Sequence, residues 1–117
     1  MSRKWEVLFY PLFDEEMQRL DKKIRKQLVL EAGVLAEFGP ALGRPQVDTL
    51  NASKHANMKE LRFQVGKGVW RVVFAFDPRR RAILLVAGNK AGVKQKLFYK
   101  RLIKEADKRF DDWLAEL

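Results

Sequence analysis

The sequence predicts an α+β domain: a mainly antiparallel, four-stranded sheet, an N-terminal helical hairpin on one face, and a C-terminal helix. Three observations predict it. Phe13, Met17, Leu20, Ile24, Leu28, Ala32 and Leu35 recur at helical steps of three and four. Three β-rich runs between Met58 and Lys90 are separated by turn residues. Leu102, Ala106, Phe110, Trp113 and Leu117 form the apolar stripe of a closing amphipathic helix.

Lys4–Tyr10, rich in aromatic and branched residues, reads as the first strand, and Pro11 ends it. Asp21 interrupts the helical run as an N-cap, which predicts two helices, about Asp14–Leu20 and Lys22–Phe38. Gly39-Pro40 stops the second. Leu42–Asn57, with Gly43, Pro45, Asn51, Ser53 and Asn57, reads as mostly loop. Met58–Val65, Gly68–Phe76 and Arg81–Lys90 then form a meander joined by Gly66-Lys67 and Asp77–Arg80. The last helix runs from about Lys96 to Leu117. The predicted order is β-α-α-β-β-β-α.

The 117 residues fit one domain spanning 1–117. The sequence has no cysteine and one histidine, His55. No disulfide, no thiolate metal site and no zinc centre is expected, and no cofactor. The N-terminal residues lack the apolar segment of a signal peptide, and Val72–Phe76 and Ala82–Ala87 are too short to span a bilayer. The expectation is a cytoplasmic protein without a membrane partner. A formal net charge of +9 on so small a body attracts polyanions, nucleic acid first, an acidic protein second and an anionic membrane surface third. Solubility alone is the bland explanation of that charge.

A two-residue type II′ turn at Gly66-Lys67 pairs Val65 with Gly68, Phe63 with Trp70, and Arg62 with Arg71. Phe63 and Trp70 then meet on a core face, while two guanidinium groups oppose each other on the other face. A bound phosphate would turn that repulsion into attraction. A four-residue turn at Asp77–Arg80 pairs Phe76 with Arg81 and Arg71 with Val86, and brings Lys90 onto the face of Arg71. A three-residue turn would flip the pairing and disperse Arg62, Arg71 and Lys90. The plainer alternative is three solvated cations on an exposed face.

The tracts Gly43-Arg44-Pro45, Met58-Lys59-Glu60-Leu61-Arg62-Phe63, Trp70–Asp77, Arg81–Leu85, Gly88-Asn89-Lys90 and Phe98-Tyr99-Lys100-Arg101 carry a family signature. Over about Trp5–Leu117 the chain resembles the phage-derived branch of the RelE/HigB-like toxins of type II toxin–antitoxin modules. The resemblance implies a RelE-like fold and a metal-independent endoribonuclease that cuts mRNA, usually in the ribosomal A site. It further implies a cognate antitoxin of helix-turn-helix type, with DNA reached only through that antitoxin. Cleavage proceeds by attack of a ribose 2′-hydroxyl on the adjacent phosphate, which needs a base, phosphate-binding cations and an acid.

The resemblance assigns Arg71 to phosphate stabilisation, Arg62 and Lys90 to neighbouring basic positions, and Tyr99 to base stacking or proton transfer. The loop after Lys90 is longer than in some relatives, so the resemblance does not fix where Lys94 and Tyr99 lie. Candidates for the base are Glu60, His55 and a lysine whose pKa neighbouring cations lower. The lysine is preferred, since a strand glutamate beside arginine usually forms a surface ion pair and a lone loop histidine is usually idle. Lys59, Lys94, Lys96, His55, Arg79 and Arg80 are further candidates for RNA contact. Most other aromatic residues fall on apolar stripes and read as core. Two other functions fit the same residues: a non-catalytic RNA- or ribosome-binding module, and a degenerate toxin acting only as an antitoxin-binding co-repressor.

Overall fold

In this computed structural model the described residues are 5–117. Their elements are β1 (Glu6–Phe9), α1 (Pro11–Met17), α2 (Lys22–Phe38), β2 (Val47–Thr49), β3 (Lys59–Val65), β4 (Gly68–Phe76), β5 (Arg81–Asn89) and α3 (Gln95–Ala115), with a 3₁₀ turn at Gly39–Ala41. The sheet has five strands in the order β1-β5-β4-β3-β2, not four. The additional strand is β2, whose three residues pair with Leu61, Glu60 and Lys59 inside the segment expected to be loop. β1 runs parallel to β5, and every other neighbouring pair is antiparallel. Lys4, placed at the start of the first strand from sequence, lies outside the described residues.

Asp21 caps α2 as expected, accepting the Lys23 N–H at 2.9 Å. Gly39 ends that helix with φ at 55°, a conformation that favours glycine. α1 begins at Pro11, three residues before the predicted start, because proline's fixed φ suits the first helical position.

The helices cover both faces of the sheet. Phe13, Leu28 and Leu35 from α1 and α2 pack with Leu61, Phe63, Trp70, Val72, Phe74 and Leu84. Phe98, Leu102, Ala106 and Phe110 from α3 pack with Met58, Val73, Ala75, Ile83 and Val86 on the other face. β3 and β4 have the expected register, including Phe63 opposite Trp70 and Arg62 opposite Arg71. The turn has positive φ at Gly66 alone, as type II′ requires.

The β4–β5 register differs from expectation. Phe76 pairs with Ala82 and Arg71 with Gly88, in place of Arg81 and Val86. The connection is a three-residue turn, Pro78–Arg80: Asp77 N–H donates to the Arg81 carbonyl at 2.8 Å, and Arg80 takes the left-handed region with φ at 62°. That turn alone would send Arg71 and Lys90 to opposite faces. A bulge between Val73 and Phe74 leaves Leu85 as the unmatched residue of β5 and shifts the pairing once more. Two single-residue shifts restore the original parity. Ile83, Leu85 and Val86 all join the α3-side core as a result.

Candidate functional site

The side chains of Glu60, Arg62, Arg71 and Lys90 converge on the α3 side of the sheet, with Tyr99 from the first turns of α3 laid across them. Alternation along β3 puts Glu60 and Arg62 on that face. The β3–β4 register adds Arg71, and the Leu85 bulge adds Lys90. Gly88, opposite Arg71, lets α3 approach closely: a Cβ there would stand 2.8 Å from the Phe98 ring.

A chain of hydrogen bonds organises the centre. The Tyr99 hydroxyl donates to Glu60 Oε1 at 2.7 Å and accepts from Arg71 Nε at 3.2 Å. Arg71 Nη1 donates to the Trp70 carbonyl at 2.9 Å. Glu60 also lies within ion-pair reach of both arginines, at 3.6 Å from Arg71 and 3.9 Å from Arg62. Glu60 is therefore no surface ion pair. It is 5% exposed and offsets the repulsion of the two opposed guanidinium groups. Lys90 Nζ sits 5.9 Å from the centroid of the Tyr99 ring.

These contacts shift two protons in opposite directions. Burial, then donation to Glu60, raises the Tyr99 hydroxyl above the usual tyrosine value, against the pull of Arg71. Burial, then Arg71 and Arg62, lowers the Lys90 ammonium, with Glu60 opposing.

A cleft of about 390 Å³ opens over this centre, with Glu60, Arg62, Lys90, Tyr99, Arg44, Asn51 and Gln95 among its walls. Arg71 lies behind Glu60 and Tyr99 rather than in the wall. Arg44 and Gln95 are cleft residues that the sequence reading did not nominate. For Arg44 a signal existed, its place in the Gly43-Arg44-Pro45 tract.

The other candidates are placed elsewhere. Lys59 belongs to the opposite face, where it reaches the Thr49 hydroxyl. His55 Nε2 stands 2.9 Å from Asp111 Oδ1, and its ring meets Phe110 edge-on. It fastens the Ser53–His55 loop to α3, assisted by Ser53 and Lys54 on Asp107. Arg79 and Arg80 occupy the turn at the far end of β4 and β5, with Arg80 over the Trp5 ring. Lys94 is the exposed N-cap residue of α3 and lines neither the cleft nor its neighbour. Lys96 lines a second groove that adjoins the cleft. Among the described residues no group of three or more His, Asp or Glu side chains is placed to hold a metal ion. No helix among them is long and apolar enough to cross a membrane.

Comparison with known proteins agrees with this architecture. The model of the phage-derived Gp49-like protein family matches residues 15–111. The chain is 53% identical to HigB3 of Mycobacterium tuberculosis over 109 residues, covering 93% of both chains. It is 48% identical to HigB2 of the same organism over 98 residues, covering 83% of this chain. The match spans 48% of HigB2, so the chain accounts for about half that protein's length. Both relatives are named as toxins. Among solved structures, a mutant of the E. coli toxin RelE in the free state superposes with a TM-score of 0.59 at 15% identity, covering 90% of this chain and 96% of that one. A chain of the archaeal RelE–RelB complex from Pyrococcus horikoshii superposes with a TM-score of 0.55 at 15% identity, covering 76% and 98%. The fold is that of RelE, and the chain belongs to the phage-derived Gp49-like family of HigB-like toxins.

Proposed function

We propose that this toxin is a metal-independent endoribonuclease that cuts mRNA in the cleft between Arg62, Lys90 and Tyr99. The observation that carries the proposal is the Glu60–Tyr99–Arg71 hydrogen-bond chain, flanked by two cations that face the same cleft. Arg62 and Lys90 draw in the scissile phosphate. Lys90, in its neutral form, takes the proton of the attacking 2′-hydroxyl; its lowered pKa enlarges that neutral fraction. The 2′-oxygen bonds to phosphorus as the bond to the 5′-oxygen breaks, and the Tyr99 hydroxyl gives its proton to the departing oxygen. Arg71, beside that hydroxyl, stabilises the resulting phenolate and adds positive charge behind the phosphorane. It acts as a positioning residue. The products are a 2′,3′-cyclic phosphate and a 5′-hydroxyl end.

The cellular setting we propose is the cytoplasm, with mRNA on the ribosome as substrate. A helix-turn-helix antitoxin is the partner that restrains the toxin and links it to DNA. The test is primer extension on a reporter mRNA after brief induction of wild type, Arg62→Ala and Lys90→Ala, each checked for folding by circular dichroism. New ends within the translated region for wild type, and none for the variants, support the cleft as the cutting site. Intact mRNA under all three points instead to a binding module or to a chain that only engages its antitoxin.

A further inference from the structure

A second groove of about 850 Å³ continues from the cleft along the outer side of α3. Ala52, Gln95, Tyr99 and Ile103 line both, so the two form one surface depression. Lys96, Lys100 and Lys104 border the second groove, and each is exposed. At four-residue spacing they stand about 6 Å apart along the helix. That step matches the separation of successive phosphates in an extended single strand. Below them lie apolar groups: Ile103, the methyl group of Ala52 and the ring of Tyr99. Asp107 closes the far end, with its carboxylate already engaged by Ser53 and the Lys54 N–H.

We infer that this groove holds single-stranded RNA as it leaves the reaction cleft, with phosphates on the three lysines and bases against Tyr99, Ile103 and Ala52. The inference rests on the RNA-cleaving reading of the adjoining cleft. Single-stranded RNA suits the groove because unstacked bases offer flat apolar faces, whereas the bases of a duplex are turned inward. An acidic peptide would satisfy the lysines too, but continuity with the phosphate-attracting cleft favours a strand that passes through both. Asp107 limits the run to about three nucleotides beyond the cleft, one for each lysine.

The test is fluorescence anisotropy with 2′-O-methyl oligonucleotides of two to eight residues, which bind but cannot react. Wild type is expected to bind more tightly with each added nucleotide and to level off about three beyond the dinucleotide. In the double variant Lys100→Ala/Lys104→Ala, affinity levels off about one nucleotide beyond the dinucleotide, the one that Lys96 still holds. The slope of log affinity against log salt for the octamer becomes shallower by about 1.4, from two lost phosphate contacts. Equal affinity at all lengths, or an unchanged levelling point and slope in the double variant, overturns the inference. Failure of the cleft reading has a separate signature: dinucleotide binding indifferent to Arg62→Ala. Lysine variants that release an acidic antitoxin and leave RNA binding untouched would assign the groove to that partner.

Discussion

Arg109 Nη1 donates to the carbonyl of Leu85 at 2.8 Å, and Leu85 is the residue that β5 carries in excess over β4. The same guanidinium spans α3 and α1 through a two-point pair with Glu16, and bonds Glu105 one turn away. A buried cation from the middle of α3 thus secures the bulge that puts Lys90 on the face of Arg71. Arg109→Met should destabilise the fold by about 2–3 kcal/mol, since it strands a buried carbonyl and frees two carboxylates. Urea denaturation measures that loss. The Lys90 resonance in the folded variant should also move, reporting the altered register.

Tyr99→Phe keeps the ring and its edge-on contact with Phe98 while removing the hydroxyl shared by Glu60 and Arg71. Cleavage should fall by about a hundredfold or more if that proton serves the leaving oxygen. Stability should drop by only about 1–2 kcal/mol, the cost of leaving buried Glu60 short of a donor. Single-turnover cleavage and thermal melting of one preparation separate the two effects.

Lys90 sets the expected pH dependence. Its folded-state pKa is lowered, so the rate should climb with pH and flatten once the neutral amine predominates, below the lysine reference of 10.5. Lys90→Arg, permanently charged, should remove that limb from the pH–rate profile. Linkage has the matching sign. Between the lowered value and the unfolded lysine's, the unfolded chain holds more protons, so stability rises with pH across that window.

Asp77 is the acid-side counterpart. Burial works to raise its carboxyl, yet Arg81, Trp113 and the backbone N–H groups of Arg81 and Arg79 together hold it below 3.8. A depressed carboxylate contributes stability above its unfolded value, lost as pH falls through the folded one. Asp77→Asn should therefore cost about 2 kcal/mol at neutral pH and soften the acid unfolding transition. Acid titration of both proteins by circular dichroism checks this. The turn at Pro78–Arg80 should loosen as well, because Asp77 accepts from Arg79 and Arg81.

What could be read from sequence tracks how local the determining contacts are. The β3–β4 register was legible because Gly66 fixes the turn and Phe63 opposite Trp70 fixes the faces. The β4–β5 register was not, because the bulge at Leu85 is held by Arg109, twenty-four residues along the chain. β2 leaves no mark in the sequence, since three residues are too few to show alternation. A four-residue turn and the observed pair of compensating shifts both bring Arg71 and Lys90 to one face, so that parity is legible even though the β4–β5 register is not. The burial of Glu60 was invisible from β3 alone, as its cover, Tyr99, arrives thirty-nine residues later. His55 carries no local mark of its pairing with Asp111, which depends on how α3 lies across the loop.

The most direct test of the central claim is the chemistry of the ends. RNA cut by the purified toxin in a translating system is mapped with and without enzymes that act only on cyclic phosphates and 5′-hydroxyls. Attack by the 2′-hydroxyl within the Lys90–Tyr99 cleft predicts 2′,3′-cyclic phosphate and 5′-hydroxyl termini, both lost in Lys90→Ala. Termini bearing a 3′-hydroxyl and a 5′-phosphate, or cyclic ends undiminished in that variant, would contradict it.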